Sequence, residues 1–227
     1  MITESLAGWL IHRRWSGDTS AHISVFTRER GLMRCLYKGC RTPKKQGLLE
    51  PFFPLWLTTN QRGEWIYVRS LESRATSLPL ADVTLFSALY VNELIYYVCQ
   101  ANDSHPELYD AYEATITALS QANNRLDIEL TLRQFEWVLL KLSGFHMSLT
   151  HDVQSKPIES DKMYDYRPGE GFQVVKNGFS GGSILAFAEQ QFDDKETLRA
   201  MKTVMRRAIH HLIDGRPIKS RTLFVGQ

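Results

Sequence analysis

The hydrophobic period of this chain changes at Leu78-Pro79-Leu80, and that change separates a strand-forming front from a helix-forming remainder. In the front, Leu6, Gly8, Leu10 and His12 alternate with Ala7, Trp9, Ile11 and Arg13, a dense two-faced apolar pattern better suited to a strand than to a helix. Further strands are predicted over residues 22–27, 32–38, 55–59 and 65–70, with turns at Ser16-Gly17-Asp18 and Asn60-Gln61-Arg62-Gly63. Five short strands in about 75 residues predict a small OB-type barrel, an architecture that binds oligonucleotides on one face. Trp9, Phe26, Tyr37, Trp56, Trp65 and Tyr67 are candidate stacking platforms, most of them expected in the core because so small a barrel needs its aromatics for packing.

Beyond residue 80 the apolar spacing becomes helical. Asp82 is the expected N-cap of a helix reaching about residue 100, Pro106 opens a second to about 122, and Asp127 begins a third that ends near Ser143-Gly144. Residues 146–182 read as an irregular polar insertion with a hairpin around 163–175 turning at Pro168-Gly169-Glu170-Gly171. Helices over 183–190 and 195–212 follow, the last one basic. The predicted organisation is therefore a β + α multidomain chain: an OB-fold barrel over 1–80, then an all-α helical domain over 81–227 carrying the irregular insertion.

Charge is distributed unevenly over these parts. Residues 1–81 hold 12 Lys and Arg against 6 acids, residues 82–146 hold 3 against 9, and residues 147–227 hold 12 against 10. The densest basic stretch runs from Val25 to Lys45, where Arg28, Arg30, Arg34, Lys38, Arg41, Lys44 and Lys45 oppose the single acid Glu29. Cations at that density repel one another, so a polyanion such as a nucleic-acid backbone is the expected partner, against the plain alternative of a solvated loop. A second cluster, Arg199, Lys202, Arg206 and Arg207, lies on the last helix, where cations also favour the helix C-terminus for dipole reasons.

Other classes lack their signatures. No apolar run approaches the roughly 18 to 20 residues needed to span a bilayer, and the N-terminus lacks a secretory pattern, so a cytoplasmic, nucleoid-associated location is expected. Three cysteines, Cys35, Cys40 and Cys99, form no CxxC pair and imply neither a disulfide framework nor a four-cysteine zinc site. No Walker loop, GxGxxG, GxSxG or HExxH motif is present, and the acids have no ligand-like spacing, so no enzymatic activity and no cofactor are expected.

The chain resembles the RecO family of bacterial recombination mediators and DNA-repair proteins. The resemblance is carried by Val25-Phe26-Thr27 with Gly31, by Lys38-Gly39-Cys40-Arg41, by Leu89 through Leu94, by Arg133-Gln134-Phe135-Glu136 running to Leu139-Leu140 and Gly144, and by Pro217 through Arg221. It implies an N-terminal OB-fold, a helical domain, binding of single- and double-stranded DNA, annealing of complementary strands, and cooperation with RecR to load RecA onto DNA coated by single-stranded-DNA-binding protein. Some members of the family carry a four-cysteine zinc module after the third helix. Here Cys99 is the last cysteine, and His146 and His151 are expected to be surface residues, so no metal is expected.

Within this resemblance the seven front cations are the expected main DNA surface, and the four cations of the last helix the second. Arg133, set in the apolar run Leu132, Phe135, Val138, Leu139 and Leu142, has two readings. It either pairs with Glu129 on its own helix face, or it marks, with Phe135 and Arg125, a pocket for the acidic, apolar-ended tail of single-stranded-DNA-binding protein. The competing reading of the whole chain is an OB-fold protein-binding adaptor without direct DNA contact.

Overall fold

The computed structural model describes residues 3–145, 147–189, 191 and 195–224. Five strands, β1 (Thr3–Ser16), β2 (Ser20–Thr27), β3 (Gly31–Tyr37), β4 (Pro54–Arg62) and β5 (Trp65–Ser73), close into an OB-like barrel of order β1-β2-β3-β5-β4. All neighbours are antiparallel except β3 and β5, which pair in parallel at Cys35 with Ile66. A parallel neighbour cannot be reached by a tight turn, and the crossover here uses α1 (Pro43–Gly47) and β4. The short α1 inside the basic loop is not legible from the apolar pattern, because none of its residues is buried. The strands extend beyond their predicted limits, since cross-strand hydrogen bonding continues past the apolar residues that betray them.

Strand alternation fills the barrel with Leu6, Leu10, Ile23, Val25, Met33, Cys35, Leu55, Leu57, Ile66, Val68 and Leu71. A bulge between Leu10 and His12 shifts the β1 register against β2, so that His12, Arg14 and their neighbours on the hairpin face outward. At the β2–β3 turn Gly31 adopts φ 61°, and a Cβ there would collide with the Asp103 carbonyl. Glycine is required on both counts.

Trp9 and Phe26 are buried outside the barrel. α2 (Asp82–Val98) and α3 (Pro106–Gln121) cover that side, and the rings of Trp9 and Phe26 meet Tyr112 at 6.1 and 5.8 Å. The Tyr112 hydroxyl donates to Asn92 Oδ1 at 2.7 Å, so the one buried tyrosine hydroxyl of that contact is satisfied. The α2 N-cap is Ala81 rather than the expected Asp82. Alanine has no side-chain acceptor, and the Thr84 hydroxyl substitutes by accepting from the Ala81 N–H at 3.0 Å and donating to its carbonyl at 2.8 Å. α4 (Arg125–Leu142) likewise starts two residues before Asp127, because Asn124 caps it by accepting from the Asp127 N–H at 3.0 Å.

The chain resolves into two compact units. The first joins the barrel, α2, α3 and the C-terminal residues 218–227; the second comprises residues 123–217. In the second, α4 packs with α6 (Lys195–Leu212), which buries Leu198, Met201, Met205, Ala208 and Ile209 along one face. The irregular insertion is partly ordered as a sheet of β6 (Met163–Arg167), β7 (Gly171–Val175) and β8 (Phe179–Ser180) in the order β7-β6-β8, followed by α5 (Gly181–Ala188). Its β6–β7 hairpin is the expected one, whereas the two-residue β8 is too short to announce itself. No helix among the described residues is long and apolar enough to cross a membrane.

Candidate nucleic-acid interface

Six of the seven cations of the 25–45 stretch lie beyond the two ends of β3, a seven-residue strand roughly 23 Å long, and Arg34 sits at its middle. Arg28 and Arg30 sit at the β2–β3 turn and are neutralised there. Arg28 donates from Nε and Nη2 to both oxygens of Asp110 at 2.9 Å, a bidentate pair that lowers the Asp110 pKa, and Arg30 Nη1 donates to Glu4 at 2.8 Å.

The other five have no acidic partner among the described residues. Arg34 projects outward from the middle of β3, with its guanidinium 5.9 Å from the Tyr96 ring centre. Lys38, at the strand exit, lies 5.1 Å from the Tyr67 ring centre. Arg41 stacks over Trp15 at 4.2 Å and donates to the Gly17 carbonyl at 3.0 Å, which ties the loop to the β1–β2 hairpin. Lys45 lies over Tyr37 and donates to the Gly39 carbonyl at 3.0 Å, while Lys44 is exposed on α1. Such cation–π contacts hold the side chains in place and leave their charge uncancelled.

Strand register then adds residues that the charge run did not reveal. Arg14 pairs with His22, His22 with Leu36, Leu36 with Tyr67 and Tyr67 with Asn60, an outward-facing belt across all five strands. Trp65 projects beside it, 55% exposed and 6.3 Å from the His22 ring. Of the six candidate platforms, Trp9, Phe26 and Tyr37 are buried. Trp56, Trp65 and Tyr67 retain accessible rings; Tyr67 adjoins Lys38 and Trp65 adjoins His22. Arg14 and Arg69 are exposed additions to the positive field. Arg14 lies outside the 25–45 charge run and gives no local signal, and only the register brings it to this face.

The second cluster is divided in the same way. On α6, Lys202 donates to Glu129 at 2.8 Å and Arg207 to Asp165 at 2.7 Å, leaving Arg199 and Arg206 exposed without an acidic partner among the described residues. On α4, Arg133 pairs with Glu136 and not with Glu129. Its Nη2 donates to Oε1 at 2.8 Å and its Nε lies 2.6 Å from Oε2. Glu129 is instead held by Lys202, with Arg125 at 3.8 Å; burial is the largest influence and raises its pKa, but the Lys202 bond and the charges of Lys202, Arg125 and Arg133 together lower it. The pairing changed because residue 136 is buried beside 133, where water cannot replace a partner. The Arg133 side chain is 6% exposed and Phe135 is buried, whereas Arg125 is open to solvent, so the three do not line one open site.

All three thiols are buried, which pushes Cys35 and Cys99 up to about 12. His151 is exposed with Nδ1 3.0 Å from the Thr150 hydroxyl, and His146 lies outside the described residues. No group of three His, Cys, Asp or Glu side chains gathers around a common point among the described residues.

Fold and face together define an OB-type barrel protein with a cationic, aromatic outer surface and a helical C-terminal part. Residues 83–222 match the family described as Recombination protein O C terminal. Over 226 residues the chain is 43% identical to a DNA repair protein RecO of Legionella pneumophila (strain Lens), covering 99% of each chain. It is 37% identical to that of Salmonella dublin, covering 96% of this chain and 94% of the relative, and 33% identical to that of Glaesserella parasuis serovar 5, covering 99% and 96%. The chain belongs to the RecO family of DNA repair proteins.

Proposed function

We propose that this protein binds single- and double-stranded DNA on the barrel face running from Arg34 through Lys38 to Arg41, Lys44 and Lys45, and that it anneals complementary strands without catalysing a covalent step. The observation that carries this reading is the division of the cations. Arg28 and Arg30 are cancelled by Asp110 and Glu4, while the other five keep their charge on a face that also carries exposed Trp65 and half-buried Tyr67, the latter beside Lys38. Cations neutralise phosphates and release counterions, which removes the repulsion between two strands, and exposed rings offer stacking surfaces to bases of any identity. A non-catalytic role is supported by the acids, since Glu4, Glu50, Asp110, Glu113, Glu129 and Asp165 each hold a cation. Arg199 and Arg206 on α6 form the secondary DNA contact.

In the cell the protein cooperates with RecR to load RecA onto DNA coated by single-stranded-DNA-binding protein. The α4 region receives the acidic tail of that coating protein: Arg125 is exposed for first contact, and Arg133 Nη1 has no hydrogen-bond partner among the described residues. The test is strand annealing on DNA precoated with single-stranded-DNA-binding protein, with and without RecR, alongside a salt titration of DNA affinity. Annealing that RecR enhances, with affinity falling steeply with salt, is expected. A flat salt dependence would instead identify a protein-binding adaptor.

A further inference from the structure

Beside the barrel face lies a cavity of about 470 Å³ formed by β1, α2 and the C-terminal 3-10 helix Lys219–Phe224. Its aromatic wall is His12, Tyr96 and Tyr97, and its aliphatic wall Ile11, Leu89 and Leu223. The His12 and Tyr96 rings are 4.9 Å apart at 40°, and the Tyr96 and Tyr97 rings 6.1 Å apart. This volume falls within the range of small-ligand sites and is lined as such sites are, by apolar and aromatic groups with a few polar ones.

The cavity is continuous with the face described above. His12 pairs across β2 with Ser24, and Ser24 pairs with Arg34, whose guanidinium lies over the same Tyr96 ring that walls the cavity. Arg34 thus touches both the cationic face and the cavity wall. The polar groups inside disfavour a phosphate. The Glu93 carboxylate lies there, accepting from the Lys219 and Ser220 N–H groups at 2.8 Å, and these bonds hold its pKa below the usual carboxylate value although burial opposes them. A backbone phosphate would meet that negative charge, whereas a neutral base would meet rings and aliphatic carbons. Arg14, Arg34 and Lys219 are exposed at or near the rim, where the backbone of the same strand would pass. His12 supports the same distinction: burial first, and then Arg14 and Lys219, lower its pKa and disfavour the cationic ring.

We propose that single-stranded DNA passing over the barrel face turns one unstacked base into this cavity, between the His12–Tyr96–Tyr97 wall and the Ile11–Leu89–Leu223 wall. The inference rests on the DNA-binding reading of the barrel and adds to it a defined base site. It gives the protein a preference for single strands, because a paired base is held in its stack and cannot enter.

The test is photocrosslinking of the full-length protein to a single strand bearing one 5-iodouracil, mapped by mass spectrometry, with affinities measured in parallel. Adducts on His12, Tyr96 or Tyr97 are expected. Thr222→Trp, at an exposed lining position, fills the cavity and should remove those adducts and weaken single-strand binding roughly five- to hundredfold, the effect of losing one stacked base. Tyr96→Leu should do the same by removing the wall. An abasic residue at the crosslinking position should cost the parent protein a similar factor and the Thr222→Trp variant nothing. Adducts confined to Trp65 and Tyr67, with unchanged affinity in both variants, would overturn the base site and leave the barrel-face reading intact. No adducts and a salt-independent affinity would overturn both.

Discussion

Replacing Lys44 and Lys45 by glutamate, and separately Arg28 by glutamine, distinguishes a cationic face built by tertiary structure from a merely basic stretch. If Arg34, Lys38, Arg41, Lys44 and Lys45 each neutralise one phosphate of a single strand, log K should fall against log salt with a slope of about −3.5, at about 0.7 per contact. Between 50 and 200 mM salt the affinity would then drop roughly 130-fold. Losing two contacts reduces the slope to about −2.1 and that drop to roughly 20-fold. Arg28→Gln should leave the slope unchanged, because Arg28 is already bound through two 2.9 Å bonds to Asp110 and releases no counterion on binding DNA. The assay is fluorescence anisotropy of a labelled single strand titrated with salt. An Arg28→Gln slope as flat as that of the double glutamate variant would refute the reasoning, since the sequence stretch and not the pairing would then set the contacts.

Further consequences concern stability and binding. Arg133→Met leaves Glu136 as a buried charge without its guanidinium and should cost about 3–5 kcal/mol in urea unfolding, whereas Arg133→Met with Glu136→Leu should recover most of that loss; equal cost in the single and double variants would show that the pair does not couple. Gly31→Ala should destabilise the first unit by at least about 1–2 kcal/mol from its left-handed backbone alone, with the Asp103 carbonyl adding to it, and wild-type unfolding would contradict the close approach. Glu93 has a lowered pKa, so its stabilising bonds to Lys219 and Ser220 are present above its unfolded value of about 4.5 and are lost as pH falls through the lower folded value. Glu93→Gln should therefore flatten that acid limb, read by circular dichroism from pH 6 to 3. Binding of a single strand should quench the fluorescence of exposed Trp65, and Trp65→Leu should remove most of the quenching while buried Trp9 remains silent.

Much of the architecture was legible because it depends on local pattern. Strand alternation in the front and helical spacing after Leu80 foretell the barrel and the helices, and Pro106 and the Pro168-Gly169-Glu170-Gly171 turn mark boundaries through backbone chemistry that needs no distant partner. The cations were legible as a composition but not as a surface. Whether Arg28 carries available charge depends on Asp110, 82 residues away, and whether Arg133 faces solvent or Glu136 depends on how α4 is buried. Trp9 and Tyr67 are alike in sequence as aromatics on strands. α3 covers Trp9, while β3 and β5 leave Tyr67 beside Lys38. Sequence alone determined the long strands and helices, all but the short α1 and β8, since apolar period and turn residues act within a few positions. Tertiary structure decided which cations remain unpaired and which rings remain open, because charge cancellation and burial are set by residues that only folding brings together.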